Sequence, residues 1–296
     1  MMKKLILTAV VSLVAIFAAA GQECPYDLPQ GASMETYIYA IKDADTLRLD
    51  YFRKKDDTTP RPTMILSFGG GWWTGSRYSM APEMYLRKGF NVACIDYRIS
   101  LEKFMFVDST VNGYKYVRAI TRAVEDTYDA TRFLLDHCEV LGIDGRIVMA
   151  GCSAGAINSV MAEYWLCNDD PLATSRLPEG FNYAGVISGA GAIWKLGLAK
   201  PEYRHTPCPH MFIHGTVDNI VPFGEKLVPE RNFGCWGPAV LSELFKANGW
   251  PYQTWFIDGM NHDAAGIPSL LPDEVEETGR IYDFLEWAVL QNAGKM

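Results

Sequence analysis

The sequence is poor in the features that mark disulfide-stapled domains, metal sites and membrane proteins. It has seven cysteines in 296 residues, no C-x-x-C pair, and no cluster of cysteine and histidine at zinc-binding spacing. A small disulfide-dense module is therefore excluded, and neither a structural nor a catalytic metal is expected. Beyond the first 20 residues no apolar run reaches 18 residues, so no further membrane span is expected.

Blocks of like charge are also absent, and the overall charge is negative. No run of five or six like charges occurs, and the formal net charge is −8. An acidic surface repels phosphate backbones, so nucleic acid is not an expected partner. With 49% hydrophobic and 21% charged residues, the chain is not intrinsically disordered. No shift in composition marks a linker, so residues 21–296 are interpreted as a single domain.

The first 20 residues have the pattern of a secretory signal peptide. Lys3 and Lys4 precede an uncharged apolar stretch, residues 5–17, and three alanines, residues 18–20, form a small-residue cleavage site. This pattern predicts an exported protein, periplasmic or secreted. Two alternatives stay open: a membrane anchor, for which the apolar run is short, and a lipoprotein anchored at Cys24, which the preceding Glu23 disfavours.

Two pairs of cysteines have different expected environments. Cys94 lies in an apolar strand-like run and Cys152 lies beside a candidate nucleophile, so both are expected as buried free thiols. Cys208 and Cys235 lie in segments flanked by proline and glycine and could pair with each other.

Short strand-like segments alternate with helical patterns along the chain. An N-terminal hairpin is predicted around the turn at residues 42–45, and six short apolar runs follow it. The predicted strands are 37–41, 46–52, 63–68, 91–96, 146–150, 183–188, 210–213 and 253–257, and the predicted helices are 80–88, 117–141, 154–166, 240–247 and 274–290. This order predicts an α/β fold with a doubly wound, mostly parallel central sheet and helices on both faces. Residues 100–116 and 222–237 are long connections, and long loops are often functional.

A nucleophile motif lies at the end of a predicted strand. Residues 151–155 read Gly-Cys-Ser-Ala-Gly and match G-x-S-x-G, between the strand RIVMA and the helical pattern INSVMAEYWL. A strained strand–turn–helix exposes the central side chain, and the helix N-terminus favours developing negative charge. Ser153 is therefore the candidate nucleophile. A tight Gly-Ser turn without chemistry is the alternative.

A nucleophilic serine needs a base, and the base needs a carboxylate. His262 follows the last predicted strand, so it should lie at the carboxyl edge of the sheet together with Ser153. Asp218 follows the strand 210–213 at the same edge. Asp258 and Asp263 are the competing acids: Asp258 ends a strand, whereas Asp263 adjoins His262 and has poor geometry for the role.

Acyl transfer also needs donors for an oxyanion. The sequence Phe-Gly-Gly-Gly-Trp-Trp at 68–73 follows the first central strand, and its glycines permit inward-pointing amides. Gly70 and Gly71 are the candidate donors there, with the amide of Ala154 as the second arm.

These motifs resemble those of the α/β-hydrolase superfamily, in its esterase/lipase and prolyl-oligopeptidase-like branch. FGGGW at 68–72 is similar to the HGGGW oxyanion loop, with Phe68 in place of a supporting histidine. DYR at 96–98, HGTVD at 214–218 with a following Val-Pro, and GMNH at 259–262 are similar to further motifs of that branch. The resemblance covers nearly all of residues 21–296.

The resemblance implies a two-step ester hydrolysis through an acyl-enzyme, with no cofactor. Short-chain acyl or aryl esters are the expected substrates, including acetyl or feruloyl groups on carbohydrate. Four aromatic residues are candidates for the walls of the substrate pocket: Trp72, Trp73, Phe233 and Trp236.

Three alternatives remain from the sequence. The first is a serine exopeptidase of the prolyl-oligopeptidase type, and the second is a non-catalytic hydrolase fold that binds ligands. The third, a dienelactone-type hydrolase with a cysteine nucleophile, is disfavoured because Cys152 occupies only the position before Ser153.

Overall fold

The computed structural model describes Tyr26 and residues 28–102, 113–269 and 276–291. The predicted signal peptide, residues 1–20, and Cys24 lie outside these residues. Within the described ranges, no helix is long and apolar enough to span a bilayer.

The main sheet has eight strands in the order β1-β2-β4-β3-β5-β6-β8-β11. The six strands from β4 to β11 are parallel, whereas β2 pairs antiparallel with β4 and with β1. The strands of this sheet are β1 (Ala32–Lys42), β2 (Asp45–Lys54), β3 (Arg61–Ser67), β4 (Asn91–Ile95), β5 (Ile143–Cys152), β6 (Gly185–Gly189), β8 (His210–Gly215) and β11 (Tyr252–Ile257). The expected mostly parallel sheet and its N-terminal hairpin are confirmed. Central strands such as β3 and β4 are buried on both faces, which explains their continuous apolar sequences.

Helices flank the sheet close to their predicted positions. They are α1 (Glu83–Arg87), α2 (Gly113–Asp136), α3 (Cys138–Leu141), α4 (Ala154–Leu166), α5 (Pro171–Thr174), α6 (Pro238–Asn248) and α7 (Glu276–Leu285), the last continuing as a π turn over Glu286–Leu290. Short 3-10 helices cover Arg77–Ser79, Pro229–Arg231 and His262–Ser269. Helix α6 shows how the sequence sets its bounds: Pro238 occupies the first turn, and Gly249 ends the helix in a left-handed conformation.

A second, three-stranded sheet corrects the prediction of one long loop over residues 222–237. That segment contains β9 (Glu225–Val228) and β10 (Phe233–Trp236), which pair antiparallel with each other, and β10 also pairs with β7 (Ile193–Leu196). Each strand has only four residues, and β9 is largely exposed. Strands this short carry too few alternations for the sequence to distinguish them from a loop.

The six cysteines in the described part of the chain all carry free thiols. Cys94 and Cys152 are buried, as expected. The possible Cys208–Cys235 bridge is not formed: Cys208 lies against Glu163 of α4, whereas Cys235 lies in β10 of the small sheet.

Candidate active site

The nucleophile turn connects β5 to α4 and has a strained backbone at Ser153. This residue has φ +52° and ψ −115°, a conformation that L-residues rarely adopt. Its amide donates to the carbonyl of Gly189 at 2.7 Å, which ties the turn to β6. The flanking glycines are required by close approach, since a Cβ on Gly155 would lie 2.1 Å from the carbonyl oxygen of Ser67. A Cβ on Gly151 would lie 2.4 Å from the backbone of Gly155.

Ser153, His262 and Asp218 form a continuous hydrogen-bonded chain. The hydroxyl of Ser153 donates to Nε2 of His262 at 2.9 Å, and Nδ1 of His262 donates to Oδ2 of Asp218 at 2.7 Å. The carboxylate can only accept, so it fixes the proton on Nδ1 and leaves Nε2 as the acceptor. The three residues come from the carboxyl ends of β5, β8 and β11, where open parallel sheets place their sites.

The Asp218 carboxylate is buried and receives donors at both oxygens. Oδ1 accepts the amides of Ile220 at 2.8 Å and Val221 at 3.0 Å, while Oδ2 faces His262 and, at 3.3 Å, His214. Burial raises the pKa of Asp218, but hydrogen bonds from His214, His262 and Ile220 outweigh burial and hold this pKa below its usual value. The carboxylate therefore stays ionised beside the imidazole.

The competing acids lie elsewhere. Asp258 is exposed and accepts the hydroxyl of Thr216 at 3.1 Å, and Asp263 is exposed at the start of a 3-10 helix.

Cys152 is buried against the core, and burial raises the pKa of its thiol to about 12. A neutral, buried thiol is not a nucleophile at neutral pH.

The glycine-rich loop lies directly against the nucleophile turn. A Cβ on Gly69 would lie 3.4 Å from the Cβ of Ser153. Gly70, Gly71 and Trp72 all have positive φ, at +114°, +61° and +61°. The amides of Trp73 and Thr74 close the turn by donating to the carbonyl of Gly70, both at 3.2 Å.

Trp72 is held by a residue that the sequence analysis did not single out. Its indole Nε1 donates to Oδ1 of Asn158 on α4 at 2.9 Å, and both side chains are fully buried. The carbonyl of Trp72 accepts the amides of Ser100 and Leu101, each at 2.9 Å. An asparagine near the start of the mostly apolar helix INSVMAEYWL is the signal that could have identified this partner.

Phe68, which replaces the supporting histidine of similar loops, is held by stacking. Its ring lies parallel to that of Tyr97, with centroids 4.2 Å apart, and the Tyr97 hydroxyl donates to the Phe68 carbonyl at 2.7 Å. The neighbours of Tyr97 anchor the same segment: Asp96 pairs with Arg77 at 2.6 Å, and Arg98 hydrogen-bonds Asp126 at 2.8–3.0 Å. The loop is therefore supported without the histidine.

Two of the four predicted pocket residues cannot line an open pocket. Trp72 and Trp236 are completely buried, and the indole of Trp236 donates to Glu225 at 2.8 Å within the small sheet. Phe233 is 6% exposed and packs against Trp194 with ring centroids 6.0 Å apart. Trp73 is half-buried and is the one member of the predicted set with substantial exposed surface.

Residues 49–175 match the model of the BD-FAE family, the bifunctional feruloyl and acetyl xylan esterases. No curated protein sequence matches the chain. Several solved structures of esterase 2 from Thermogutta terrifontis are similar in fold.

The paraoxon-phosphorylated form of that esterase is 21% identical, with a TM-score of 0.61 over 89% of this chain and 96% of its own. The propionate-bound form is 21% identical, with a TM-score of 0.58 over 89% and 94%. The butyrate-bound form is 19% identical, with a TM-score of 0.59 over 88% and 94%. The α/β-hydrolase fold expected from the motifs is thus confirmed.

Proposed function

We propose that this chain, a serine esterase of the α/β-hydrolase fold, acts on short-chain acyl or aryl esters, among them acetyl and feruloyl groups on carbohydrate. The observation that carries the proposal is the unbroken hydrogen-bonded chain from Ser153 through His262 to Asp218. The family match over residues 49–175 supports the feruloyl and acetyl classes. The propionate and butyrate bound by the similar Thermogutta esterase support a short acyl group.

The proposed reaction proceeds through an acyl-enzyme. Ser153 attacks the ester carbonyl while His262 takes the hydroxyl proton at Nε2, and Asp218 stabilises the resulting imidazolium. The amides of Ala154 and of Gly70 or Gly71 stabilise the oxyanion. His262 then protonates the leaving alcohol, and a water molecule repeats the sequence to release the acid. No cofactor takes part.

An aromatic cluster packs beside the glycine-rich loop. The ring of Trp194 lies 5.8 Å from that of Trp72 and 5.2 Å from that of Tyr116, and Phe233 completes the cluster. The indole nitrogen of Trp194 is buried and hydrogen-bonds no atom of the described residues. Trp72, Trp194 and Phe233 are all buried, so this cluster supports the glycine-rich loop from behind.

The test is ester hydrolysis by the protein lacking residues 1–20, compared with its Ser153→Ala variant. Hydrolysis of p-nitrophenyl acetate and butyrate, weaker hydrolysis of the octanoate, and loss of all three in the variant are the expected results. Release of acetate from acetylated xylan and of ferulate from feruloylated oligosaccharides tests the carbohydrate class. If the variant hydrolyses the esters as fast as the parent, Ser153 is not the nucleophile.

We also propose that the protein is exported after removal of residues 1–20. The basic residues Lys3 and Lys4, the apolar stretch and the three alanines support this. Expression of the full chain in a bacterial host, followed by fractionation and mass measurement, tests it. A protein that stays in the cytoplasm at full mass would contradict export.

A further inference from the structure

A second histidine contacts the acid of the candidate triad. His214, in β8, is fully buried, and its Nε2 lies 3.0 Å from the carbonyl oxygen of Val221 and 3.3 Å from Oδ2 of Asp218. Both oxygens can only accept hydrogen bonds, so Nε2 carries a proton. The other ring nitrogen, Nδ1, is buried and has no hydrogen-bond partner among the described residues.

This N–H reaches two parts of the same turn. The Asp218 carboxylate accepts the amides of Ile220 and Val221 at Oδ1, and the carbonyl of Val221 accepts from His214. His214 therefore closes the turn that carries Asp218. It also shares with His262 the one oxygen, Oδ2, through which the acid acts on the base.

We propose that His214 is a positioning residue for catalysis, which holds the Asp218 carboxylate toward His262 and sets how strongly that carboxylate stabilises the imidazolium. The inference rests on the proposed esterase function. A donor at Oδ2 withdraws charge from the oxygen that faces His262, so the carboxylate stabilises the protonated base less than a free carboxylate would. The orientation supplied by the same bond favours proton transfer, because it keeps Nε2 of His262 directed at Ser153.

Among the described residues, few charged or titratable groups lie on the segments that form this unit. Asp218 contacts His214 from β8 and His262 from the segment after β11. On those two segments, Asp258 accepts the hydroxyl of Thr216 and Asp263 is exposed next to His262 in the chain. His214 otherwise packs near the uncharged ring of Phe223, with centroids 5.9 Å apart. A change at position 214 therefore acts on the carboxylate of Asp218 in the first instance.

The matched variants are His214→Phe, which keeps a ring and removes the donor, and His214→Gln, whose amide nitrogen can occupy the place of Nε2. For His214→Phe we expect kcat on p-nitrophenyl butyrate to fall roughly ten-fold or more with KM nearly unchanged. The acid limb of its kcat/KM profile should move to higher pH by about half a unit. Without the donor from residue 214, the Asp218 carboxylate stabilises protonated His262 more strongly. His214→Gln should restore most of kcat and return the acid limb toward that of the parent.

Two further measurements keep the result decisive. If His214→Phe does not fold, His214→Asn, which is too short to reach Asp218, takes its place against His214→Gln. The rate at which a fluorophosphonate labels Ser153 is measured against pH. This rate reports how well His262 activates Ser153, and it requires no ester substrate. The proposal is overturned if the acid limb of the donor-free variant stays where it is in the parent. It is also overturned if the losses of kcat in both variants simply follow their losses in melting temperature. Loss of ester hydrolysis in Ser153→Ala tests the esterase function separately, so the two failures are distinguishable.

Discussion

The indole of Trp72 donates to the amide oxygen of Asn158 at 2.9 Å, between two completely buried side chains. Asn158 lies one turn into α4, the helix that begins just after Ser153, and Trp72 lies at the end of the glycine-rich loop. The bond therefore links the element behind the nucleophile to the loop that is proposed to bind the oxyanion. This buried contact adds to the close backbone approach of the loop to the nucleophile turn at Gly69 and Gly155.

Removing one partner of this contact should cost both stability and rate. In Asn158→Leu the Trp72 N–H is left buried without an acceptor, which costs about 1–3 kcal/mol of unfolding free energy. The loop also loses its anchor, so kcat should fall more than KM changes. A double-mutant cycle with Trp72→Phe, measured by urea unfolding and ester kinetics, checks this. If the two single changes are additive, the bond does not couple the loop to the helix.

The close approach at Gly155 predicts a strong effect of one methyl group. A Cβ there would lie 2.1 Å from the Ser67 carbonyl and 2.5 Å from that of Phe68, so Gly155→Ala must displace backbone on both sides of the site. We expect a loss of about 3 kcal/mol or more in unfolding free energy and of most activity.

Gly279→Ala is the matched control, because position 279 lies in α7 and, among the described residues outside the helix's own backbone, no atom lies within 4 Å of the added Cβ. That change should raise stability by about 0.5–1 kcal/mol. The measurements are the thermal unfolding of the two variants and their rates of p-nitrophenyl acetate hydrolysis, each compared with the parent. Equal tolerance of both changes would mean that the nucleophile turn can relax.

The assignment of Asp218 as the acid of the triad can be tested against Asp258, the competing acid that also follows a strand. Asp218→Asn removes the charge beside His262 and permits the wrong tautomer, so kcat should fall by roughly three to four orders of magnitude. Asp258→Asn, on an exposed carboxylate bonded only to Thr216 among the described contacts, should change kcat less than about two-fold. A larger effect of Asp258→Asn than of Asp218→Asn would reverse the assignment.

The strands of the main sheet along the chain and the position of the candidate triad could be predicted because they depend on local patterns. Buried parallel strands require continuous apolar runs, and a nucleophile turn requires glycines at fixed spacing. The pattern alone therefore predicts Ser153 as the candidate nucleophile. Asp218 and His262 followed from one topological rule, that the carboxyl ends of parallel strands share an edge. These patterns are independent of how the side chains pack.

The supports of the site could not be predicted in the same way. The partnership of Trp72 with Asn158 joins residues 86 positions apart, and that of Phe68 with Tyr97 joins residues 29 positions apart. Such pairs depend on the final packing of loops against helices. The same holds for Trp236, whose aromatic character suggested a pocket wall but whose indole is bound to Glu225 inside a sheet of four-residue strands.

His210 gives the fold a stability that depends on pH. It is completely buried between Phe212 and Phe245, its Nδ1 donates to the Cys208 carbonyl at 2.9 Å, and burial lowers its pKa to about 4. In the unfolded chain a histidine has a pKa of about 6.5. The stabilisation from the neutral ring is therefore complete above pH 6.5 and is lost as the pH falls toward 4, by about 3 kcal/mol in all.

The variant His210→Phe should lose this dependence even where its absolute stability is lower. Urea unfolding at several pH values between 7 and 4.5, with the difference between parent and variant plotted against pH, is the measurement. Burial raises the pKa of Glu163, so this residue affects the pH dependence of stability with the opposite sign. The stabilisation from its neutral form is lost as the pH rises above about 4.3. Both proteins retain Glu163, so its effect cancels in the difference. A difference that does not change between pH 7 and 4.5 would mean that His210 takes up a proton as readily in the folded protein as in the unfolded chain.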